Sequence, residues 1–294
     1  MSGQKDGFQR WQVGDVRVTS IIEMETTVSC IPENGLIPSA MPEGLRRHPW
    51  LYPHFVNQAD ELLFAIQALI VEAPGKTLVV DTCIGNDKNR AALGTMLATS
   101  FLQDIERAGF ARDRIDAVVC THLHFDHIGW NTMLVEGQWV PTFPQARYLF
   151  GRLEYDHWTA HGDEHDRVHF ADSVLPVVEA GLVDLVEMDH CICDEIRLVP
   201  TPGHTPGHVS VMIESLGQRA VITGDMAHHP CQMAEPDWYT PFDSDPEAAA
   251  STRRTTFKQW AREEMLVIGT HFAAPTVGRI RHEGQAFRLD PPVG

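Results

Sequence analysis

Short apolar runs alternate with polar, turn-forming stretches along the whole chain. Branched and aromatic runs of about four to eight residues, bounded by Gly, Pro, Asn or Asp, read as strands. Strands are expected at Trp11–Val18, Ala65–Val71, Lys76–Val80, Ala117–Cys120, Ala146–Phe150, Val183–Met188, Ile196–Val199, Val209–Glu214, Val221–Thr223 and Leu266–Ile268. Two longer segments predict helices, Asn89–Ala108 and Pro246–Glu264. In the second, Asp245 can cap the start, Pro246 fits the first helical position, and Phe257, Trp260 and Ala261 form an apolar stripe. Strands followed by a helix, twice over, suit two sheets with helices outside. Cys30–Asn57, rich in Pro and aromatic residues, and Tyr155–Phe170 lack a strong period and are expected to be long functional loops or subunit contacts. His157, His161, His165 and His169 recur every four residues; interleaved Asp156, Asp163, Glu164 and Asp166 make them a solvated face if that segment is helical.

The densest chemistry follows the expected strand Ala117–Cys120. Thr121-His122-Leu123-His124-Phe125-Asp126-His127 places three imidazoles and a carboxylate within six positions. His122 and His124, two apart as the chain leaves a sheet, can point to one side. Imidazole and carboxylate together suit Zn²⁺, with Fe, Mn and Co as competitors. Four ligands exceed the usual three protein ligands of one catalytic zinc, so two metals are expected. Three further candidates, His204, Asp225 and His271, each sit where an expected strand gives way to a loop, the usual place for functional groups on a rigid scaffold.

His122-x-His124-x-Asp126-His127, followed in order by His204, Asp225 and His271, resembles the metallo-β-lactamase superfamily of metallohydrolases, over roughly Ala65 to Arg279. The resemblance implies an α/β fold, a four-layer αββα sandwich of two mixed sheets with outer helices, as a single domain over 1–294 with a loop extension at about 30–57. It implies that His122, His124 and His204 bind one metal, that Asp126, His127 and His271 bind the other, and that Asp225 bridges them. Two Zn²⁺ bring four positive charges, of which Asp126, Asp225 and a hydroxide offset three. The excess favours metal-bound hydroxide as nucleophile near neutral pH, because zinc lowers the pKa of its water to about 7. Asp126, Asp225 and His228 are the expected catalytic residues. Asp81 resembles the family's carboxylate that buttresses the metal loop, and His208 its structural histidine. His228 stands three residues after Asp225, where homoserine lactonases often carry tyrosine, and His229 follows it; both are close enough in sequence to reach the substrate side. That departure places the chain nearer the organophosphate-hydrolase and esterase-like branch resembling methyl parathion hydrolase. Cleavage of an ester, lactone or phosphotriester is the expectation. The alternatives are N-acyl-homoserine lactone opening, a glyoxalase II-like thioesterase using Arg279 and Arg281, and a non-catalytic metal-binding protein.

Composition narrows the partners. A formal charge of −17 argues against nucleic acid, which requires a basic surface. No apolar stretch reaches the roughly 18 residues of a spanning helix, and no apolar signal segment opens the sequence, so a cytoplasmic protein is expected. Six separated cysteines, none in C-x-x-C, are expected to be reduced thiols. The aromatic-rich loops could form a homodimer interface around a site for a small molecule.

Overall fold

A computed structural model describes residues 7–29, 35–90 and 96–291. Its strands in chain order are β1 (Arg10–Val13), β2 (Val16–Val28), β3 (Leu62–Ala73), β4 (Lys76–Val80), β5 (Ala117–Val119), β6 (Thr132–Val135), β7 (Gln138–Pro141), β8 (Arg147–Gly151), β9 (Val183–Val186), β10 (Cys191–Cys193), β11 (Ile196–Pro200), β12 (Val209–Ser215), β13 (Gln218–Ile222), β14 (Leu266–Ile268), β15 (Val277–Glu283) and β16 (Ala286–Asp290). The helices are α1 (Pro42–Leu45), α2 (Phe101–Arg107), α3 (Phe125–Ile128), α4 (Arg152–His161), α5 (Glu164–Ser173), α6 (Leu175–Glu179), α7 (Cys231–Ala234) and α8 (Pro246–Arg262).

The chain divides into two compact units, Met1–Met24 with Ile66–His190, and Glu25–Ala65 with Cys191–Gly294. One seven-stranded sheet runs β1-β2-β3-β4-β5-β8-β9 and the other β10-β11-β12-β13-β14-β15-β16, with β6-β7 as a separate hairpin. Both sheets are mixed. In the first, β4, β5, β8 and β9 are parallel neighbours; in the second, only β13 and β14 are parallel. Parallel neighbours need a long crossover, and these crossovers carry α2 through α6 in the first unit and α7 and α8 in the second. The C-terminal ends of β4, β5, β13 and β14 are fully buried, so the residues that follow start from rigid points. The second unit has a continuous apolar core in which Phe257 and Trp260 of α8 meet Val221, Val267, Phe272, Ile280 and Leu289.

Several sequence expectations change. Trp11–Val18 is a hairpin rather than one strand, because Gly14-Asp15 turns the chain and Trp11 pairs with Val18. The helix expected at Asn89–Ala108 is confined to Phe101–Arg107; of the remainder, 91–95 lie outside the described residues. Tyr155–Phe170 is helical, in α4 and α5, which break at Gly162 and restart at a capping box in which Asp163 accepts from the backbone N–H groups of His165 and Asp166. Of Cys30–Asn57, residues 30–34 lie outside the described set. The rest is not a loose flap, since Ile37, Ala40, Leu45, Leu51, Phe55 and Val56 are core residues of the second unit.

Candidate metal centre

In the first unit the H-x-H-x-D-H run begins where β5 ends. Asp81, the residue after β4, is fully buried in a left-handed conformation, φ 58°. Its Oδ1 accepts the Thr121 N–H at 2.8 Å, and Oδ2 accepts the Thr121 hydroxyl at 2.9 Å and lies 3.0 Å from His127 Nδ1. Thr82 N–H donates to the His127 carbonyl at 2.8 Å. Gly129 allows this closure, since a Cβ there would sit 1.8 Å from the Ile84 oxygen. His122 and His127 are buried with ring centroids 4.0 Å apart, and His122 Nε2 lies 3.0 Å from His124 Nδ1. Asp126 Oδ1 is 3.8 Å from His127 Nε2. All four residues of the motif therefore converge.

Two residues of α4 support this loop that the sequence did not single out. Glu154 Oε1 accepts the Leu123 backbone N–H at 3.2 Å and the Trp158 indole N–H at 2.6 Å, and the Trp158 ring stands 5.2 Å from that of His124. Glu154 is one carboxylate among many acidic residues; only its burial sets it apart.

In the second unit Asp225 follows β13 and is ringed by imidazoles. Its Oδ1 lies 3.1 Å from His271 Nε2; its Oδ2 lies 3.1 Å from His228 Nε2 and 3.6 Å from His204 Nε2. His271 Nδ1 lies 2.9 Å from the Ala65 carbonyl, which can only accept, so Nδ1 carries a proton and Nε2 is the ring nitrogen turned to Asp225. His204 is arranged alike, with Nδ1 3.0 Å from Asp243 Oδ1. Burial pushes the Asp243 carboxyl up from its ordinary range, partly offset by His228 and Arg253. An outer acceptor on one ring nitrogen and a lone pair presented by the other is the arrangement metal-binding histidines use. His228 differs: its Nδ1 has no hydrogen-bond partner among the described residues. His204, Asp225 and His228 still offer three ligand atoms within 4.8 Å of one another.

His208 is structural. Its Nε2 accepts the Asp225 backbone N–H at 2.8 Å, which leaves the proton on Nδ1, beside the Thr201 carbonyl at 3.1 Å and hydroxyl at 2.8 Å. His229 does not join the site. Its Nδ1 accepts the Cys231 N–H at 3.0 Å, its Nε2 faces the Phe55 carbonyl at 2.8 Å, and burial lowers its pKa to about 4. Thus the Gly224-Asp225 turn is held from beneath by one histidine while another pins the start of α7.

Known proteins resemble this chain in sequence and in fold. Residues 63–271, most of the chain, match the model of the Metallo-beta-lactamase superfamily. The chain belongs to the metallo-β-lactamase superfamily. An N-acyl homoserine lactonase of Bacillus thuringiensis is 26% identical over 168 residues, 57% of this chain and 60% of the relative, so the match spans less than two thirds of that enzyme. The crystal structure of the hydrolase AbOPH of the superfamily superposes with a TM-score of 0.80 at 22% identity, over 99% of both chains. AidC, a dizinc quorum-quenching lactonase solved with N-hexanoyl-L-homoserine, superposes with 0.79 at 20% identity over 98% of both. The two mixed sheets with helices are those of the metallo-β-lactamase fold.

Proposed function

We propose that the chain is a dinuclear metal-dependent hydrolase of small esters, lactones or phosphotriesters. His122, His124 and His204 would hold one ion, Asp126, His127 and His271 the other, and Asp225 would bridge them. The donor set of imidazole nitrogens and carboxylates fits a borderline-soft divalent ion, with zinc the first choice. The observation that carries the reading is Asp225 facing Nε2 of His204 and His271, each of which places its Nδ1 against an outer acceptor. Divalent ions bound by this set supply Lewis-acid activation of water and of the scissile carbonyl or phosphoryl oxygen.

The chain's own groups perform the rest. Asp81 and Glu154 hold the loop that presents His122 and His124. His228 lies with Nε2 beside Asp225 and with a buried Nδ1 that has no hydrogen-bond partner among the described residues, and it would exchange a proton with the substrate's leaving oxygen. A hydroxyl-bearing tyrosine is absent from that position, which favours the esterase and organophosphate branch beside the lactonases. The thioesterase alternative draws no support from its arginines: Arg279 donates to the Glu264 carbonyl at 2.5 Å, and Arg281 pairs with Asp290 at 3.1 Å.

The test is elemental analysis of protein purified without added metal, paired with hydrolysis of an aryl ester, a homoserine lactone, an aryl phosphotriester and a glutathione thioester. Two zinc per chain and turnover of one of the first three is the expected result. One iron per chain, or no hydrolysis of any, would overturn the reading.

A further inference from the structure

The carboxylate behind His204 belongs to a larger buried arrangement. Asp243 lies in the loop between α7 and α8 with its side chain fully buried. Oδ1 faces His204 Nδ1 at 3.0 Å, while Oδ2 accepts the Thr240 N–H at 3.3 Å and lies 3.6 Å from Arg253 Nη1. Arg253, equally buried on α8, donates through Nε to the Pro236 carbonyl at 2.7 Å and through Nη1 to that of Met226 at 3.4 Å. Met226 is the neighbour of Asp225. The Asp243 loop is further tied to the His204 loop, by Ser244 N–H to the His204 carbonyl at 2.8 Å and by Asp245 N–H to that of Gly203 at 3.0 Å. Gly203, at φ 131°, lets the loop lie against α8, since a Cβ there would come within 2.3 Å of the Ala249 nitrogen.

Taking a carboxylate and a guanidinium out of water costs more than packing an apolar pair of the same volume. The cost is unexplained if the pair only fills space. It is explained if one carboxylate oxygen must be held immobile behind a ligand imidazole, for an outer carboxylate fixes the tautomer and orientation of the ring. Arg253 then has the task of fixing Asp243 on the side away from His204, its contact with the Met226 carbonyl at 3.4 Å being the longer of its two to backbone carbonyls.

We propose that Asp243 and Arg253 are a positioning pair for the metal ligand His204, with Arg253 acting through Asp243. This rests on the reading of His204 as a ligand. The experiment measures zinc affinity of the whole protein by competition with a chromophoric chelator, with the apo fold of each variant checked by far-UV circular dichroism. Asp243→Ala should weaken one of the two zinc sites by about 10- to 100-fold and leave the other unchanged. Asp243→Asn, whose amide oxygen can still accept from Nδ1, should recover part of that loss. Arg253→Met should weaken the same site by less, and the double variant Asp243→Ala/Arg253→Met should bind as Asp243→Ala does. Wild-type zinc affinity in Asp243→Ala, or losses at the two positions that add, would overturn the proposal. If Asp243→Ala does not fold, the Asn and Met variants decide: wild-type affinity in Arg253→Met, or an Asn variant that also binds as wild type, rejects the pair. His204→Ala separates this from the reading beneath it. If that variant keeps both zinc ions at wild-type affinity, His204 is no ligand and the centre is misread. If it loses one while the Asp243 variants lose none, only the positioning pair fails.

Discussion

Among the histidines near Asp225, the proposed ligands and the proposed proton carrier differ in what stands behind the ring. His204 and His271 have acceptors at Nδ1; His228 has none among the described residues. His228→Ala should therefore lower kcat by about 100-fold while zinc stoichiometry stays at two, the usual range for one general acid-base group. Unchanged turnover on the best substrate would make His228 merely structural. By contrast, Asp225→Ala should lose metal and activity together while keeping the fold; a metal-free variant with full activity would refute the centre. His229 carries a pH prediction of its own. Its folded-state pKa of about 4 lies below the ordinary value of about 6.5, so the unfolded chain binds the proton first as pH falls. Stability from this group is complete above about pH 6.5 and is lost between there and about pH 4, by about 3 kcal/mol. His229→Gln should flatten that part of the profile in urea unfolding of zinc-free protein, and an unaltered slope would mean that His229 is not held neutral.

At the scale of elements, α8 was legible because its signals are local. Asp245 caps it by accepting the Ala248 N–H at 2.9 Å, Pro246 opens it, and Phe257 and Trp260 are buried. Asp245→Ala should cost about 1 kcal/mol in urea unfolding. Strands β4 and β14 were read to the residue, being apolar runs closed by turn residues. The misses also have physical reasons. The hairpin β15-β16 is charged and half exposed, so its period is carried by few apolar positions, whereas β6-β7 is short and apolar on both faces, with only Thr132 buried, so no alternation marks it. Helices α4 and α5 are polar on most faces, and their histidines, aspartates and glutamates hide the period that tertiary packing of Phe170 and Asp172 enforces. The ligand candidates were visible because imidazoles and carboxylates at strand ends have few other uses. Asp243, Glu154 and Arg253 were not, because an outer partner is recognised only by its burial and by what it touches, and no sequence period records either.

At the scale of the whole molecule, the question is whether metal builds the fold or only loads it. In zinc fingers the binding energy is the folding energy, because no sufficient core exists without metal. Here the second unit has its own apolar core, from Ile37 to Leu289, and the first has β4, β5 and β8 buried among Leu78, Val79, Val118, Tyr148 and Phe150. The proposed ligands of each unit also have metal-independent supports, Asp81 for the His122–His127 run and the His208 bond to the Asp225 backbone for the other. Binding two divalent ions would still stabilise, by mass action and by offsetting four units of the net formal charge of −17. At zinc about 1,000-fold above the dissociation constant the gain is about 4 kcal/mol. For a chain of this size that corresponds to a Tm higher by about 10 °C. Chelation should thus lower Tm by that order and leave the far-UV circular dichroism spectrum at room temperature unchanged, with full recovery when zinc is restored. Loss of the folded spectrum on chelation would show that the two cores do not stand without the ions, and that the supports around Asp81 and His208 are consequences of metal binding rather than the frame that receives it.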